Sequence, residues 1–330
     1  MAYTIINKSS EHFNTKLYTG NGGTQSITGL DFQPDWVAIK DRGATNSFMT
    51  FDAVRGATKL LNWNTTNAES TQTPTLTSFN SDGFSIGNNT ALNTNNNNLV
   101  AWNWKETATA GFDIVSYTGN GSNRTISHSL SAVPKMMIIK NRTATSGDRD
   151  WSVYHQALGN GSFCLLNTDD AKDDSSGFFN NTTPTSSVFT VGTNTRVNAN
   201  SDTFIAYLFA EKQGYSKFGS YTGNGNSGVN GPFINTGFKP AFVILKESTN
   251  AQSWMLYDNK RLGYNDGEKY FIANTDAAET INSDYHIDFL SNGIKILGNT
   301  NDINRNNGNY IYMCFGQSIV GSNNIPCTAR

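Results

Sequence analysis

The densest group of side chains that could do chemistry is an acidic run near the middle of the chain. Asp169-Asp170-Ala171-Lys172-Asp173-Asp174 places four carboxylates within six positions. Ca²⁺ takes ~6–8 oxygen ligands and accepts flexible loops. We therefore treat Asp169, Asp170, Asp173 and Asp174 as a candidate Ca²⁺ site, with a solvated surface loop as the alternative.

Motifs for other metals, for nucleotides and for nucleophilic catalysis are missing from the sequence. The four histidines have neither HxH nor HExxH spacing, and no CxxC pair occurs, so zinc is not predicted. Gly223 to Gly228 matches GxGxxG, but no helical pattern follows it, as a dinucleotide fold requires. Neither GxSxG nor a Walker loop is present. We expect a protein that is not an enzyme, with no cofactor other than the candidate Ca²⁺.

Aromatic side chains offer a second kind of site, because their rings can stack on the faces of sugar rings. The chain has 20 Phe, 13 Tyr and 6 Trp, but most of them lie in apolar runs, which favours packing in a core. Trp63 and Tyr264 stand outside such runs. They are therefore the candidates for contact with a ligand.

A threefold internal repeat organises the chain. The string Tyr-Thr-Gly-Asn-Gly begins at Tyr18, Tyr117 and Tyr221, which are 99 and 104 residues apart. Each copy is followed by an apolar run between a proline and a lysine, and each unit ends in an aromatic run. A period of about 100 residues exceeds the ~20–50 of solenoid repeats and suits a domain with its own core.

The repeats divide the chain into five segments. These are a polar lead at 1–12, repeat 1 at 13–106, repeat 2 at 112–211, repeat 3 at 215–317 and a polar tail at 318–330. The acidic run occurs in repeat 2 alone. A Ca²⁺ site there would not be shared by the three repeats.

Composition and pattern both favour strands. Asn, Ser, Thr and Gly supply most of the polar residues, and strong helix formers are sparse. The runs 36–39, 136–139 and 242–245 are apolar at every position, as in strands covered on both faces. Asp82-Gly83 and Asn292-Gly293 are hairpin dipeptides. The sequence predicts an all-β protein with three tandem β-sandwich domains of about 100 residues each, of the jelly-roll or lectin-like type.

Charged residues recur at equivalent positions and suggest a structural pairing. Lys40 and Lys246 end the apolar strand of their repeats, and Asp52 and Asp258 end the next strand. We expect partly buried Lys40–Asp52 and Lys246–Asp258 pairs across neighbouring strands. Repeat 2 has His155 in place of the aspartate.

Charge and hydropathy argue against nucleic acid and membrane partners. The net charge is −2 and 15% of residues are charged, which gives little attraction for phosphate backbones or anionic lipids. No apolar run reaches the ~18 residues of a membrane span, and the start lacks a secretory signal pattern. Cys164, Cys314 and Cys327 do not form a disulfide framework, which fits folding in a reducing cytoplasm.

The repeated strings resemble a family of phage proteins. Tyr-Thr-Gly-Asn-Gly, followed by the runs at 32–40, 51–56, 79–84 and 100–104, resembles repeats in structural proteins of tailed bacteriophages, notably marine ones. Such proteins are described as tail-fibre or virion structural proteins. The similarity covers about 13–317, and repeat 2 departs from the pattern at His155. The resemblance implies a place on the phage particle and no catalytic residues.

The expected function is that of a non-enzymatic virion structural protein, exposed on the particle as a tail or tail-fibre component or a capsid decoration. Its partners would be other virion proteins in a homo-oligomeric or symmetric assembly, and it would be located in the virion after synthesis in the host bacterial cytoplasm. One alternative is a host-glycan receptor-binding protein, which predicts exposed aromatic residues beside polar amides in one repeat. A less favoured alternative is a polysaccharide depolymerase, which predicts a cleft with two carboxylates ~5–10 Å apart.

Overall fold

Strands dominate the computed structural model, which describes residues 4–143, 149–262, 265 and 267–318. The α-helices in these ranges are single turns of four residues, and neighbouring strands pair in antiparallel fashion. The prediction of an all-β chain is confirmed.

Repeat 1 folds into one large and one small sheet. Its strands are β1 (Phe13–Thr19), β2 (Gln25–Thr28), β3 (Trp36–Asp41), β4 (Met49–Asp52), β5 (Lys59–Asn62), β6 (Ser70–Thr71), β7 (Leu76–Asn80), β8 (Gly83–Ile86) and β9 (Asn98–Trp104), with helix α1 (Thr90–Asn93) before β9. The large sheet has the order β1-β9-β3-β4-β5-β6, and the small sheet has the order β2-β8-β7.

Repeat 2 has the same large sheet and a reduced small one. Its strands are β10 (Phe112–Thr118), β11 (Arg124–Ser127), β12 (Met136–Asn141), β13 (Ser152–His155), β14 (Ser162–Leu165), β15 (Asp173–Asp174), β16 (Val188–Val191) and β17 (Thr203–Phe209), with helices α2 (Ser176–Phe179) and α3 (Thr195–Asn198). The large sheet has the order β10-β17-β12-β13-β14-β15, and the small sheet is β11-β16.

Repeat 3 returns to the pattern of repeat 1. Its strands are β18 (Ser216–Thr222), β19 (Phe233–Asn235), β20 (Phe238–Glu247), β21 (Trp254–Asp258), β22 (Lys269–Ile272), β23 (Thr280–Ile281), β24 (Ile287–Leu290), β25 (Gly293–Ile296) and β26 (Asn309–Ser318), with helices α4 (Asn259–Leu262) and α5 (Asn301–Asn304). The sheet orders are β18-β26-β20-β21-β22-β23 and β19-β25-β24. Single 3-10 turns lie at Ser9–Glu11, Gln156–Leu158, Gly228–Asn230 and Ser283–Tyr285.

The two predicted hairpins are confirmed. In repeat 1, β7 and β8 join through a two-residue turn that pairs Asn80 with Gly83. In repeat 3, β24 and β25 join in the same way, with Leu290 opposite Gly293. Repeat 2 lacks the turn glycine, and its small sheet has one strand fewer among the described residues.

The middle strand of each large sheet is buried on both faces, as the unbroken apolar runs predict. In β3, Trp36 and Ala38 enter one apolar cluster, while Val37 and Ile39 enter another. The same alternation occurs in β12 and β20. It follows from the two-residue period of a strand, whose side chains point to opposite faces.

Four apolar clusters fill the interior of the part of the chain that the structure describes. Three of them each combine residues from the large and small sheets of a single repeat. The fourth, here called the shared core, draws on all three repeats, with members that include Trp36, Trp102, Trp104, Met136, Tyr207, Phe209, Phe242, Met313 and Phe315. Each large sheet therefore turns one face to its own small sheet and the other face to the shared core.

Aromatic rings meet across the repeats inside the shared core. The ring centroids of Trp36 and Tyr207 are 4.5 Å apart with the planes nearly parallel, although they belong to repeats 1 and 2. Phe13 of repeat 1 stacks on Phe315 of repeat 3 at 5.3 Å. Such offset ring pairs add ~0.5–1.5 kcal/mol each beyond the area that they bury.

The lead and the connecting segments also enter the shared core. Ile6, Ala110 and Tyr215 are almost fully buried there. The lead is further held by Ser9, whose main-chain N and Oγ both donate to Gln317 Oε1, at 3.2 and 2.7 Å. The predicted tail begins at Ser318, the last residue of β26, and residues 319–330 with Cys327 lie outside the described residues.

Cys164 and Cys314 are buried free thiols. Burial raises the pKa of Cys164 to about 12 and that of Cys314 well above its ordinary value. Both side chains are therefore neutral core residues at physiological pH.

Candidate functional site

The structure places Trp63, one of the two candidates for ligand contact, in the interior. Trp63 is 2% exposed and packs in the shared core, where its ring stacks on Phe48 at 5.5 Å. The prediction that Trp63 contacts a ligand is wrong, because Trp63 lies two residues after Leu61 and packs with it in the shared core. Tyr264 lies outside the described residues.

The four aspartates of the acidic run are all exposed along one edge of repeat 2. Asp173 and Asp174 form the edge strand β15, and Asp169 and Asp170 precede it. Asp174 accepts a hydrogen bond from Lys172 Nζ at 3.0 Å. In the described part of the chain no three or more His, Cys, Asp or Glu side chains are placed to hold a metal ion. The four carboxylates are therefore not brought together as a shared set of oxygen ligands.

A buried asparagine explains the Gly-Asn-Gly part of the repeated motif. Asn93, the last residue of α1, is fully buried, and its Oδ1 accepts from the Asn21 main-chain N at 2.9 Å. Its Nδ2 donates to the carbonyls of Gly23 and Gly87 at 2.6 and 2.9 Å. Asn198 and Asn304 hold the same turn in repeats 2 and 3.

The tyrosine and the first glycine of the motif also serve the fold. Tyr18 OH donates to the Leu92 carbonyl at 2.8 Å. A Cβ at Gly20 would come within 2.1 Å of the Thr94 carbonyl oxygen, so the close approach of the two segments requires glycine. The equivalent contacts recur at Tyr117, Gly119, Tyr221 and Gly223.

The recurring lysines cross from one repeat to the next. Lys40 Nζ of repeat 1 donates to the carbonyl of Asp276 in repeat 3 at 3.0 Å. Lys140 of repeat 2 reaches the Thr66 carbonyl of repeat 1 at 2.9 Å, and Lys246 of repeat 3 reaches the Asp169 carbonyl of repeat 2 at 3.2 Å. Three equivalent bonds thus connect the three repeats in a closed cycle.

The predicted Lys40–Asp52 and Lys246–Asp258 pairs do not form. Each aspartate instead pairs with the arginine three residues later, Arg55 or Arg261. Each lysine Nζ instead donates to one main-chain carbonyl of its own repeat and to one of a neighbouring repeat. Burial lowers the pKa of Lys40 to about 8, with the charge of Asp41 acting in the opposite sense.

Five polar side chains form a network across the junction between repeats 1 and 2. Tyr207 OH donates to Asp52 Oδ2 at 2.7 Å, and the same carboxylate binds the Arg55 guanidinium. Arg55 Nη1 reaches Glu69 Oε2 at 3.3 Å, and Glu69 binds Arg142 in bidentate fashion at 2.9 and 3.1 Å. Burial acts to raise the pKa of Glu69, but the hydrogen bonds from Arg142 and the charge of Arg55 outweigh it and lower that pKa. Glu69 therefore carries its negative charge at neutral pH.

The junction between repeats 1 and 3 carries the same network. Trp102 Nε1 donates to Asp258 Oδ2 at 3.0 Å, and Asp258 binds Arg261. Arg261 Nη1 lies 2.9 Å from Glu279 Oε2, and Glu279 binds Arg42 at 3.1 and 2.7 Å. The donor and the final arginine come from repeat 1, and the three middle residues come from repeat 3.

The junction between repeats 2 and 3 has a different residue at each of the five positions. Met313 stands in place of the Tyr or Trp donor, His155 in place of the aspartate and Leu158 in place of its arginine. Lys172 stands at the position of Glu69 and Glu279. Ser248 stands at the position of Arg42 and Arg142, here called the outer arginine. An aspartate at 155 would be buried with no donor and no guanidinium, which is costly. The network is thus present or absent as a whole.

His155 fills the aspartate position as a neutral side chain. It is fully buried, and its Nε2 lies 3.2 Å from the Tyr312 carbonyl oxygen. Burial lowers the pKa of His155 to about 4, although the bond to Tyr312 opposes the shift. The imidazole is therefore uncharged at pH 7 and donates that bond.

One main-chain hydrogen bond is common to all three junctions. It joins the residue just before the edge strand of one repeat to the residue just after the middle strand of another. The bonds run from Glu69 N to Arg142 O, from Lys172 N to Ser248 O and from Glu279 N to Arg42 O, at 2.9, 2.8 and 2.9 Å. The repeats therefore meet in the same way at every junction, and only the side chains differ.

A groove of about 340 Å³ lies at the junction that lacks the network. We call it the repeat 2–3 groove, and its lining includes Leu158, Lys172, Ser220, Tyr221, Ser248 and Asn309. At the junction of repeats 1 and 2, Arg142 crosses the equivalent space, and its Nη1 donates to Ser116 Oγ at 3.2 Å. Ser220 is the equivalent of Ser116 and is exposed. The short side chain of Ser248 thus leaves open a space that an arginine covers elsewhere.

Glu106 and Asp113 form a close pair of carboxyl groups and therefore bear on the depolymerase alternative. Burial raises the pKa of Glu106 to about 7, and a hydrogen bond with the Asp113 carboxyl adds to the shift. Glu106 Oε1 also accepts from the Ile114 main-chain N at 3.1 Å. Glu211 does the same for Phe218 at the equivalent place in repeat 2. A role shared by two repeats identifies Glu106 as a residue that ties the end of one repeat to the start of the next.

One family covers nearly the whole chain. A sequence profile described as a domain of unknown function, DUF7483, matches residues 8–318. The chain belongs to the DUF7483 family. The DUF7483 match begins before β1 and ends at the last residue of β26, so it takes in the three repeats and the shared core as one stretch.

Two further observations complete the comparison. No curated protein matches this DUF7483 chain. Within the described ranges, none of the helices is both long and apolar enough to cross a bilayer.

Sequence reasoning missed the repeat 2–3 groove. The signal in the sequence is the replacement of both partners of an ion pair, which is visible when the repeats are aligned on Tyr-Thr-Gly-Asn-Gly. The position of Arg42 and Arg142 then holds Ser248, while the position of Glu69 holds Lys172. A joint loss of both partners of an ion pair marks the junction that differs from the others.

Proposed function

We propose that the chain is a structural protein of a tailed-phage particle, exposed as a tail or tail-fibre component or as a capsid decoration, and working through contacts with other virion proteins. Each repeat would be a β-sandwich unit of the jelly-roll or lectin-like type. The location on a phage particle is proposed from the sequence resemblance of the repeats. The architecture supports a role in assembly.

The observation that carries the proposal is the closed cycle of equivalent contacts. Lys40, Lys140 and Lys246 bond in turn to repeats 3, 1 and 2. One chain thereby presents three similar surfaces around a shared core, as a trimer of separate chains would. Such a unit suits a position of threefold or near-threefold symmetry on a particle.

The treatment of sheet edges supports the same proposal. Edge strands attract other chains unless they are covered. Here the residues just before the edge strands β6, β15 and β23 hydrogen-bond to a neighbouring repeat. A protein displayed in many copies on a particle needs this protection against uncontrolled pairing.

The test is to locate the chain in purified particles of the phage that encodes it. We expect mass spectrometry to find it at a fixed ratio to the major capsid protein, and antibodies against the recombinant chain to label intact particles in electron micrographs. Presence in infected-cell lysate together with absence from purified particles would refute the proposal.

A further inference from the structure

We infer that the repeat 2–3 groove is a binding site for a neutral saccharide of one or two sugar rings. This inference goes beyond the structural role proposed above and does not depend on where the protein is located. It rests on the one junction at which the outer arginine–glutamate pair of the other two is replaced by Ser248 and Lys172.

The size and position of the groove suit a small ligand. Its volume of about 340 Å³ falls in the lower part of the ~300–1,000 Å³ range of small-molecule sites. It lies between two packed units, where such sites are often found. The equivalent recess at the junction of repeats 1 and 3 measures about 300 Å³ and is lined by Arg42 and Glu279 themselves. The two recesses are therefore similar in volume and differ in their lining, which is an ion pair in one and Lys172 with Ser248 in the other.

The lining combines rings with neutral polar groups. Tyr221 is half-buried and lines the wall, and the fully buried ring of Tyr310 stacks against it with the centroids 4.6 Å apart. Beside them lie the hydroxyl of Ser220 and the amide of Asn309, with Leu158 opposite. Sugar hydroxyls can both donate to and accept from such groups, while the C–H faces of the ring pack on tyrosine and leucine.

The charges at the groove favour a neutral ligand over an anion. Lys172 is the cation in the lining, and its Nζ lies 3.0 Å from Asp174 Oδ1. The Lys172 side chain is one-third exposed, and its ammonium already has a counter-charge. A phosphate or carboxylate ligand would have to compete with Asp174, whereas a sugar hydroxyl can bond to either member of the pair.

The chain itself suggests the variants that change the lining of the groove. Lys172→Glu with Ser248→Arg rebuilds the ion pair that the other two junctions carry, so the fold has a precedent for it. Ser220→Leu places in the groove the residue that repeat 1 has at this position, Leu17. Val229→Arg changes an exposed side chain outside the groove lining and serves as the control.

The test is saturation-transfer NMR on the full-length chain with maltose, cellobiose, lactose and N,N′-diacetylchitobiose, each at millimolar concentration. We expect transfer to at least one of these sugars in the parent and in Val229→Arg, and affinity at least tenfold weaker in K172E/S248R and in S220L, with unchanged circular dichroism. Absence of transfer to all four sugars would overturn the inference. Transfer that persists in both groove variants would also overturn it, because the sugar would then bind elsewhere.

Discussion

The indole Nε1 of Trp102 lies 3.0 Å from the carboxylate Oδ2 of Asp258, and the two residues are 156 positions apart in different repeats. Tyr207 and Asp52 are related in the same way at 2.7 Å. A side chain on the last strand of one repeat thus donates to a buried carboxylate at the end of a strand in another repeat. This relationship recurs at two junctions and is replaced at the third, where His155 is neutral.

Removal of either buried carboxylate should destabilise the whole chain. In Asp258→Ala the buried Arg261 guanidinium loses one of its two carboxylate partners and keeps Glu279, and we expect a loss of about 3–5 kcal/mol in the free energy of unfolding. Urea denaturation followed by tryptophan fluorescence measures it. His155→Ala removes the equivalent uncharged side chain and should cost about 1–3 kcal/mol. Equal losses for the two variants would show that the charge network has no special role.

The network should transfer only as a complete set. His155→Asp alone buries a carboxylate without a partner, and we expect a loss of about 3 kcal/mol or more. Adding Leu158→Arg, Met313→Tyr, Lys172→Glu and Ser248→Arg supplies the residues of the other junctions and should recover most of that loss. Thermal melting of the single and fivefold variants gives the comparison. If the five effects simply add, the positions are not coupled.

The motif glycines should differ in their tolerance of a side chain. Gly20→Ala puts a Cβ at 2.1 Å from the Thr94 carbonyl oxygen and should cost about 1–3 kcal/mol or more. Gly23→Ala meets only the Asn21 side chain at 3.7 Å and should stay within about 0.5 kcal/mol of the parent. Chemical denaturation of both variants tests this. A Gly20→Ala variant as stable as Gly23→Ala would contradict the close approach.

Stability should fall in acid partly through His155. Burial lowers its pKa to about 4 in the folded chain, whereas an unfolded histidine has a pKa of about 6.5. Between these values the unfolded state binds more protons, so the contribution is present above pH ~6.5 and is lost as the pH falls towards 4. The full difference corresponds to about 3 kcal/mol from this one group.

The matched variant is His155→Gln, which cannot take up the proton. The difference in unfolding free energy between parent and variant should shrink or reverse from pH 7 to pH 4, as measured by urea denaturation at each pH. A difference that stays constant over this range would mean that His155 titrates alike in both states.

The sequence predicts the parts of the fold that depend on neighbouring residues. The hairpins at Asp82-Gly83 and Asn292-Gly293, and the strands buried on both faces, are signals read over a few positions. The all-β class follows from the same local preferences.

Contacts between the repeats could not be predicted in this way. The bond from Lys40 to the Asp276 carbonyl spans 236 positions, and no periodic pattern specifies which repeat a side chain enters. Trp63 looks like a loop residue by its neighbours, yet it packs in a core that exists only when all three repeats assemble. Likewise, the repeat 2–3 groove arises from two substitutions that are far apart in the sequence.

Differential scanning calorimetry of the full chain tests most directly whether the three repeats act as one unit around the shared core. We expect a single transition whose calorimetric and van't Hoff enthalpies agree, near about 200 kcal/mol for a folded region of this size. Three transitions, or a van't Hoff enthalpy near one-third of the calorimetric value, would mean that the repeats unfold independently and would contradict this account.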